Sequence, residues 1–257
     1  MRKQYVTQIV GVAVAMAAYA QSPSFDVVSV KPNRSGARNS GYRRAGPGIL
    51  NATNVTLKML VEYAYDVRDY QISGGPNWFD SERYDVLAKP APGADSGSST
   101  AAGQKALLRL RVQALLSDRF QLALHQSTKE LPTFALVLAK NGPRQLKEPD
   151  GSPTDLISNG HHLTCQKVSM DMLARVFLQG ELGRPVSNQT GVKGEFNFTL
   201  DWVAERKPPA EGREETALPE GPSLFTALQE QLGLRLEPRK GPVEILVIDR
   251  AERASEN

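Results

Sequence analysis

Three histidines, one cysteine and two tryptophans are the side chains of this 257-residue chain from which a reactive or binding site would first be sought. His161, His162 and Cys165 come nearest to a metal-ligand cluster. On an extended strand, however, His161 and Cys165 stand about 13 Å apart and His162 points to the opposite face. Zinc needs its ligands within about 2.0–2.3 Å of one point, so the trio does not chelate in that conformation and no metal site is expected. His125 continues the alternation Phe120, Leu122, Leu124 and faces away from those leucines. As a general base it would need a nucleophile within hydrogen-bond reach. The chain holds no Gly-x-Ser-x-Gly, no His-Glu-x-x-His and no phosphate-binding loop. No catalytic residue and no cofactor is assigned.

Binding is better served. Arg34, Arg38, Arg43 and Arg44 alternate with Gly36, Gly41, Gly46 and Gly48, a loop able to wrap an anion or an acidic partner if it is not simply solvated. Trp78 follows the tight turn Gly74-Gly75-Pro76-Asn77, and Trp202 ends a strand-like run. Each indole either stacks on a ligand or covers the end of a core. Trp78, Trp202, Arg43 and Arg44 are therefore the candidate ligand or partner contacts. Asn51, Asn54, Asn188 and Asn197 each open an Asn-x-Thr triplet. The first two fall where a strand and a helix cap are expected, which favours structural use over glycosylation.

The N-terminus reads as a secretory signal. Arg2 and Lys3 precede the apolar run Ile9–Ala18, and Ala18-Tyr19-Ala20 offers a small-x-small cleavage site that would leave Gln21 as the mature start. The run is short for a membrane span, which needs about 20 apolar residues. Without Arg2 and Lys3 the charge is 29 Lys+Arg against 28 Asp+Glu. That near balance argues against a nucleic-acid partner. Cys165, alone, forms no internal disulfide and reads as a small buried apolar residue.

The positions of these residues depend on elements that recur. Thr56 precedes the helical stripe Leu57, Leu60, Val61, Ala64, Tyr65, and Ser169 precedes Met170, Leu173, Ala174, Phe177, Leu178, with 113 residues between counterparts throughout. Both stripes follow a hydroxyl N-cap. Leu50-Asn51-Ala52 matches Leu163-Thr164-Cys165 at the same offset, and Tyr84–Leu87 matches Phe196–Thr199 at 112. Pro132 and Pro242 open two further apolar runs, Thr133–Ala139 and Val243–Ile248. The expected class is α+β: two tandem diverged repeats, each strand-helix-strand-strand-helix-strand-strand, behind one N-terminal strand at Phe25–Val30. Residues 1–20 would be the signal peptide, 21–150 the first repeat with its leading strand, and 151–257 the second. The stretch from Asn141 to Gly160 reads as an irregular connection.

Several segments together are familiar: Phe25–Asn33, Gly74–Trp78, Leu115–Phe120, Thr190–Phe196, Gln231–Leu234 and the ending Val247–Asn257. They resemble the soil-associated family of uncharacterised secreted proteins expanded in acidobacteria, a domain-of-unknown-function family. The resemblance implies export and carries no activity. In some relatives a similar domain is joined to a membrane metallopeptidase of the antibiotic-sensor type, which implies extracytoplasmic sensing. Two positions depart from the pattern, with Asn188 in place of Asp and Ala254 in place of Pro. The expectation is an exported, non-enzymatic binding or sensing protein of the cell envelope or exterior, secreted or periplasmic. Its partner would be an envelope protein or a small ligand, held in a cleft between the halves. The alternatives are a secreted hydrolase without a recognisable motif, using His125, Asp118 or Asp249, and a structural envelope protein.

Overall fold

A computed structural model describes residues 23–43, 45–94, 100–203 and 221–254. The signal-like segment, its cleavage site and Arg44 lie outside the described residues. In chain order the strands are β1 (Val27–Pro32), β2 (Gly41–Tyr42), β3 (Leu50–Thr56), β4 (Ile72–Gly74), β5 (Arg83–Lys89), β6 (Ala123–Leu138), β7 (Asp155–Ser158), β8 (His162–Ser169), β9 (Val186–Asn188), β10 (Glu195–Asp201) and β11 (Leu234–Arg250). The helices are α1 (Leu57–Tyr65), α2 (Ala101–Phe120), α3 (Met170–Met172), α4 (Gln179–Leu182) and α5 (Leu224–Gln231). A 3-10 turn covers Asp69–Gln71, and a π-helical turn, Leu173–Leu178, joins α3 to α4. Helices stand beside separate, largely antiparallel sheets, so the class is α+β.

The chain divides into two compact units. The first takes the described residues up to Tyr65, Ser81–Gln121, and Arg253 onward; the second takes Asp66–Asp80 and Leu122–Glu252. The first holds the sheet β1-β5-β3-β2. Its core takes Leu57, Leu60, Val61 and Ala64 from α1, and Val112, Leu115, Leu116 and Phe120 from α2. Tyr84 of β5 meets Phe120 edge-on, with ring centroids 5.1 Å apart. Such a contact directs a positive ring edge at a negative ring face.

The second unit holds two sheets, β10-β8-β7 and β4-β11-β6-β9. Leu163, Cys165, Val168, Leu173, Ala174, Leu178, Leu228 and Leu232 form its core with Phe177 and Trp202. β4 and β6 come from the chain before residue 150 and are strands of this unit.

Two expectations are corrected. The closing strand pairs of each repeat are in fact single strands: β6 and β11 pair antiparallel along nearly their whole lengths, from Leu138 opposite Leu234 to Ala123 opposite Arg250. Pro132 and Pro242 do not break them, because each lies in extended register opposite Lys240 and Glu130, and φ near −65° is compatible with an extended chain. The stretch 141–160 also contains a strand, β7, paired antiparallel with β8.

Local geometry recurs at the sequence offset. β3 and β5 pair at Ala52–Val86 and again at Val55–Tyr84, skipping a residue; β8 and β10 do the same at Cys165–Phe198 and Val168–Phe196. At each bulge one residue has positive φ, Asn54 at 57° and Lys167 at 51°. Its backbone N–H donates across the sheet, from Asn54 to Asp85 Oδ1 (2.9 Å) and from Lys167 to Asn197 Oδ1 (2.8 Å). Thr56 Oγ1 then accepts from Met59 N, and Ser169 Oγ from Met172 N, both at 3.2 Å. In the sheet β4-β11-β6-β9 the two edges are alike, since β4 runs parallel beside β11 as β9 does beside β6.

Candidate functional site

The helical run after β8 starts on the Ser169 cap. Its inward face buries Leu173, Ala174, Phe177 and Leu178, which leaves Asp171, Arg175 and Val176 exposed. The middle of the run is π-helical. A π turn has weaker local support than α-helix and is found disproportionately at functional sites.

Facing these side chains in the same unit is the 3-10 turn Asp69–Gln71. Gln71 fixes it: Oε1 accepts from Arg68 N at 3.2 Å, while Nε2 donates to Glu244 O of β11 at 3.1 Å. Between the turn, the helical run and β11 lies a cleft of about 650 Å³, within the range of small-molecule sites. Arg68, Tyr70 and Gln71 line it from the turn, Asp171, Met172, Arg175, Val176 and Gln179 from the helix, and Val243 and Glu244 from β11. Burial raises the Tyr70 phenol above its ordinary pKa, with Arg68 and a hydrogen bond with Gln179 pulling the other way. The phenol is therefore protonated at neutral pH and available as a donor. The lining carries Arg68 and Arg175 against Asp66, Asp171 and Glu244, so charges of both signs border one opening.

Among the described residues of this unit lie two further cavities. One of about 510 Å³ is lined by Lys147, Asp150, Thr164, Cys165, Gln166 and Asn197. Burial pushes the Cys165 thiol up to about 12, which leaves it protonated and unreactive. The other, of about 540 Å³, is lined by Lys140, Arg144, Glu230 and Arg235.

Across β8 and β10, His162 Nδ1 sits 2.5 Å from Asp201 Oδ1, and its Nε2 lies 3.1 Å from Thr164 Oγ1. Carboxylate, imidazole and hydroxyl in that order can activate the hydroxyl as a nucleophile. Here the imidazole is 40% exposed and the carboxylate 66%, so water screens the relay, whereas acyl transfer needs fixed donors in a water-excluded site. His125 Nδ1 lies 2.9 Å from both oxygens of Asp249, again at the surface. Asp118 belongs to the other unit and pairs with Arg119. Among the described residues no three His, Cys, Asp or Glu side chains could hold a metal ion together.

The residues named from sequence fall elsewhere. Trp78 and Trp202 are 8% and 4% exposed, and Trp202 packs edge-on against Phe177 at 5.4 Å. Both indoles are buried, and Trp202 belongs to the core of the second unit. Arg43 is exposed in the first unit, its backbone N–H donating to Asn51 O at 2.7 Å. Asn54 Nδ2 donates to Ala37 O and Asn39 O and ties the arginine–glycine loop down. Asn188 Oδ1 accepts from Thr190 N and Oγ1, which an amide oxygen does as well as a carboxylate. Sequence reasoning missed the cleft. Asp171 and Arg175, spaced i, i+4 opposite the apolar stripe, were its only local signal.

An α+β protein with a preformed polar cleft and a water-screened histidine relay is the class that fold and site define. The chain belongs to the family described as Protein of unknown function (DUF3738), whose model matches residues 58–251. Comparison with curated proteins and with solved structures gave no match. Among the described residues no helix is long and apolar enough to cross a membrane.

Proposed function

We propose that this chain is an exported, non-enzymatic binding or sensing protein of the cell envelope or exterior. The observation that carries the binding part is the cleft between the 3-10 turn Asp69–Gln71 and the π-helical turn Leu173–Leu178. Hydrogen bonds of Gln71 to Arg68 N and Glu244 O hold the turn against β11. A site organised before its ligand arrives loses less ordering entropy on binding. Export is supported by the signal-like N-terminus and by the resemblance to a secreted, soil-associated family. The water-screened His162 relay favours binding over hydrolysis.

The test uses the full chain expressed with its own N-terminus. Cell fractionation and N-terminal sequencing are expected to find it outside the cytoplasm and beginning at Gln21. Recovery of intact chain in the cytoplasm would overturn the export part. Thermal-shift screening of the purified chain against a library of small metabolites is expected to give saturable stabilisation, since a ligand that binds only the folded state raises its melting point. A flat screen would overturn the binding part.

A further inference from the structure

The charges around the cleft limit what it holds. A purely anionic ligand would meet Asp66, Asp171 and Glu244, and a purely cationic one would meet Arg68 and Arg175. Like charges brought together out of water are costly. A molecule with a carboxylate and an ammonium a few bonds apart satisfies both sets. Arg68 and Arg175 come from opposite walls, and a guanidinium presents the fork of donors that matches a carboxylate. Tyr70 and Gln179 add neutral hydrogen-bonding groups. Met172, Val176 and Val243 give an aliphatic side to the same opening, where Val176 is 52% exposed.

From this we propose that the cleft binds a zwitterion of amino-acid to short-peptide size, its carboxylate on the arginines and its ammonium on the carboxylates, with an aliphatic side chain against Met172 and Val176. This rests on the binding reading above and names the ligand class of that cleft.

Isotope-labelled chain, purified as the cell processes it, would be titrated with L-alanyl-L-leucine and L-leucine while amide resonances are followed by NMR. Matched probes would be N-acetyl-L-leucine, L-leucinamide, acetate, methylammonium and glucose. The dipeptide or the amino acid is expected to shift resonances of 68–71 and 171–179 saturably. Blocking either charged end should weaken binding at least about tenfold, roughly the loss of one charge-assisted contact. Arg175→Ala should cause a similar loss with an otherwise unchanged spectrum, which shows that the variant is folded. Lys140→Ala, in a separate cavity, should bind as the parent does. Equal binding of blocked and unblocked forms, or of the singly charged or neutral probes alone, would overturn the zwitterion inference and leave the binding reading standing. If no probe shifts the cleft resonances, the zwitterion inference falls, and a flat metabolite screen beside it would remove the binding reading as well.

Discussion

The helix that follows β3 and the helical run that follows β8 begin alike and end differently. Both leave a bulged antiparallel pair, both start on a hydroxyl cap, and both bury residues at the same spacing. α1 then stays α-helical and stops after nine residues. The second run passes through a π-helical turn and extends through α4 to Leu182. The added length and the changed winding fall where Arg175, Val176 and Gln179 meet the cleft. Bulge, cap and buried stripe are what the fold needs, so they recur. The departure falls at the cleft for which a ligand is proposed above.

If the shared scaffold is structural, counterpart core residues should behave alike. Leu60 and Leu173 are both fully buried. Leu60→Ala and Leu173→Ala should each cost about 2–5 kcal/mol in chemical denaturation. A cost below about 1 kcal/mol at one of them would break the equivalence.

The ends of α2 and α5 extend the comparison, because Gln121, which caps α2, and Gly233, just past α5, stand 112 residues apart in the sequence and are different residues. Gly233 has φ 63°, and a Cβ there would lie 1.8 Å from Gly142 O. Gly233→Ala should destabilise by more than about 1–3 kcal/mol, combining left-handed strain with a backbone collision. Gln121 already carries a side chain at φ 47°. Gln121→Gly should stay within about 1 kcal/mol of neutral, relieved strain offsetting lost chain stiffness. Equal effects in thermal melts would mean that the two caps are not under different constraints.

The bulge hydrogen bonds should differ by burial. Asn54 is 3% exposed and Lys167 lies at the surface. Asp85→Ala strands a buried N–H and should cost about 1–3 kcal/mol, whereas water can replace Asn197 at Lys167 and Asn197→Ala should cost less than about 1 kcal/mol. Reversal of that order would show that the exposed bulge carries more of the fold than its burial implies.

The smallest effect is expected at the surface of the first unit. Arg253 forms a two-pronged ion pair with Glu82 and, with a contribution from Tyr84, holds that carboxyl below its ordinary value of 4.5. A depressed carboxyl stabilises the fold above its unfolded value, and the contribution is lost as pH falls through the lower folded one. Glu82→Gln should therefore slightly flatten the acid limb of a stability–pH curve and leave its neutral part almost unchanged. An unaltered acid limb would mean that solvent screens the pair completely.

The buried stripes of α1 and of the run after Ser169 are legible in sequence because helical spacing is a local property. Thr56 and Ser169 are legible for the same reason, as each answers a helix start. The unbroken length of β6 and β11 is not. Gln126–Glu130 looks like a polar loop until its partners on β11 are known. Trp78 and Trp202 suggest binding by residue type, yet they lie in a core that only tertiary packing reveals. The cleft is hidden for a related reason: Arg68, Arg175 and Glu244 are far apart in the chain and meet only in the folded unit, where β4 pairs with β11.

The most direct test of the central claim, that the helical run after β8 borders a ligand site and α1 does not, is a crystallographic fragment screen of the full chain. Fragments carrying polar and aliphatic groups are predicted to collect between Arg68–Gln71 and Asp171–Gln179, with none on the exposed face of α1. An empty cleft, or equal occupancy along α1, would contradict it.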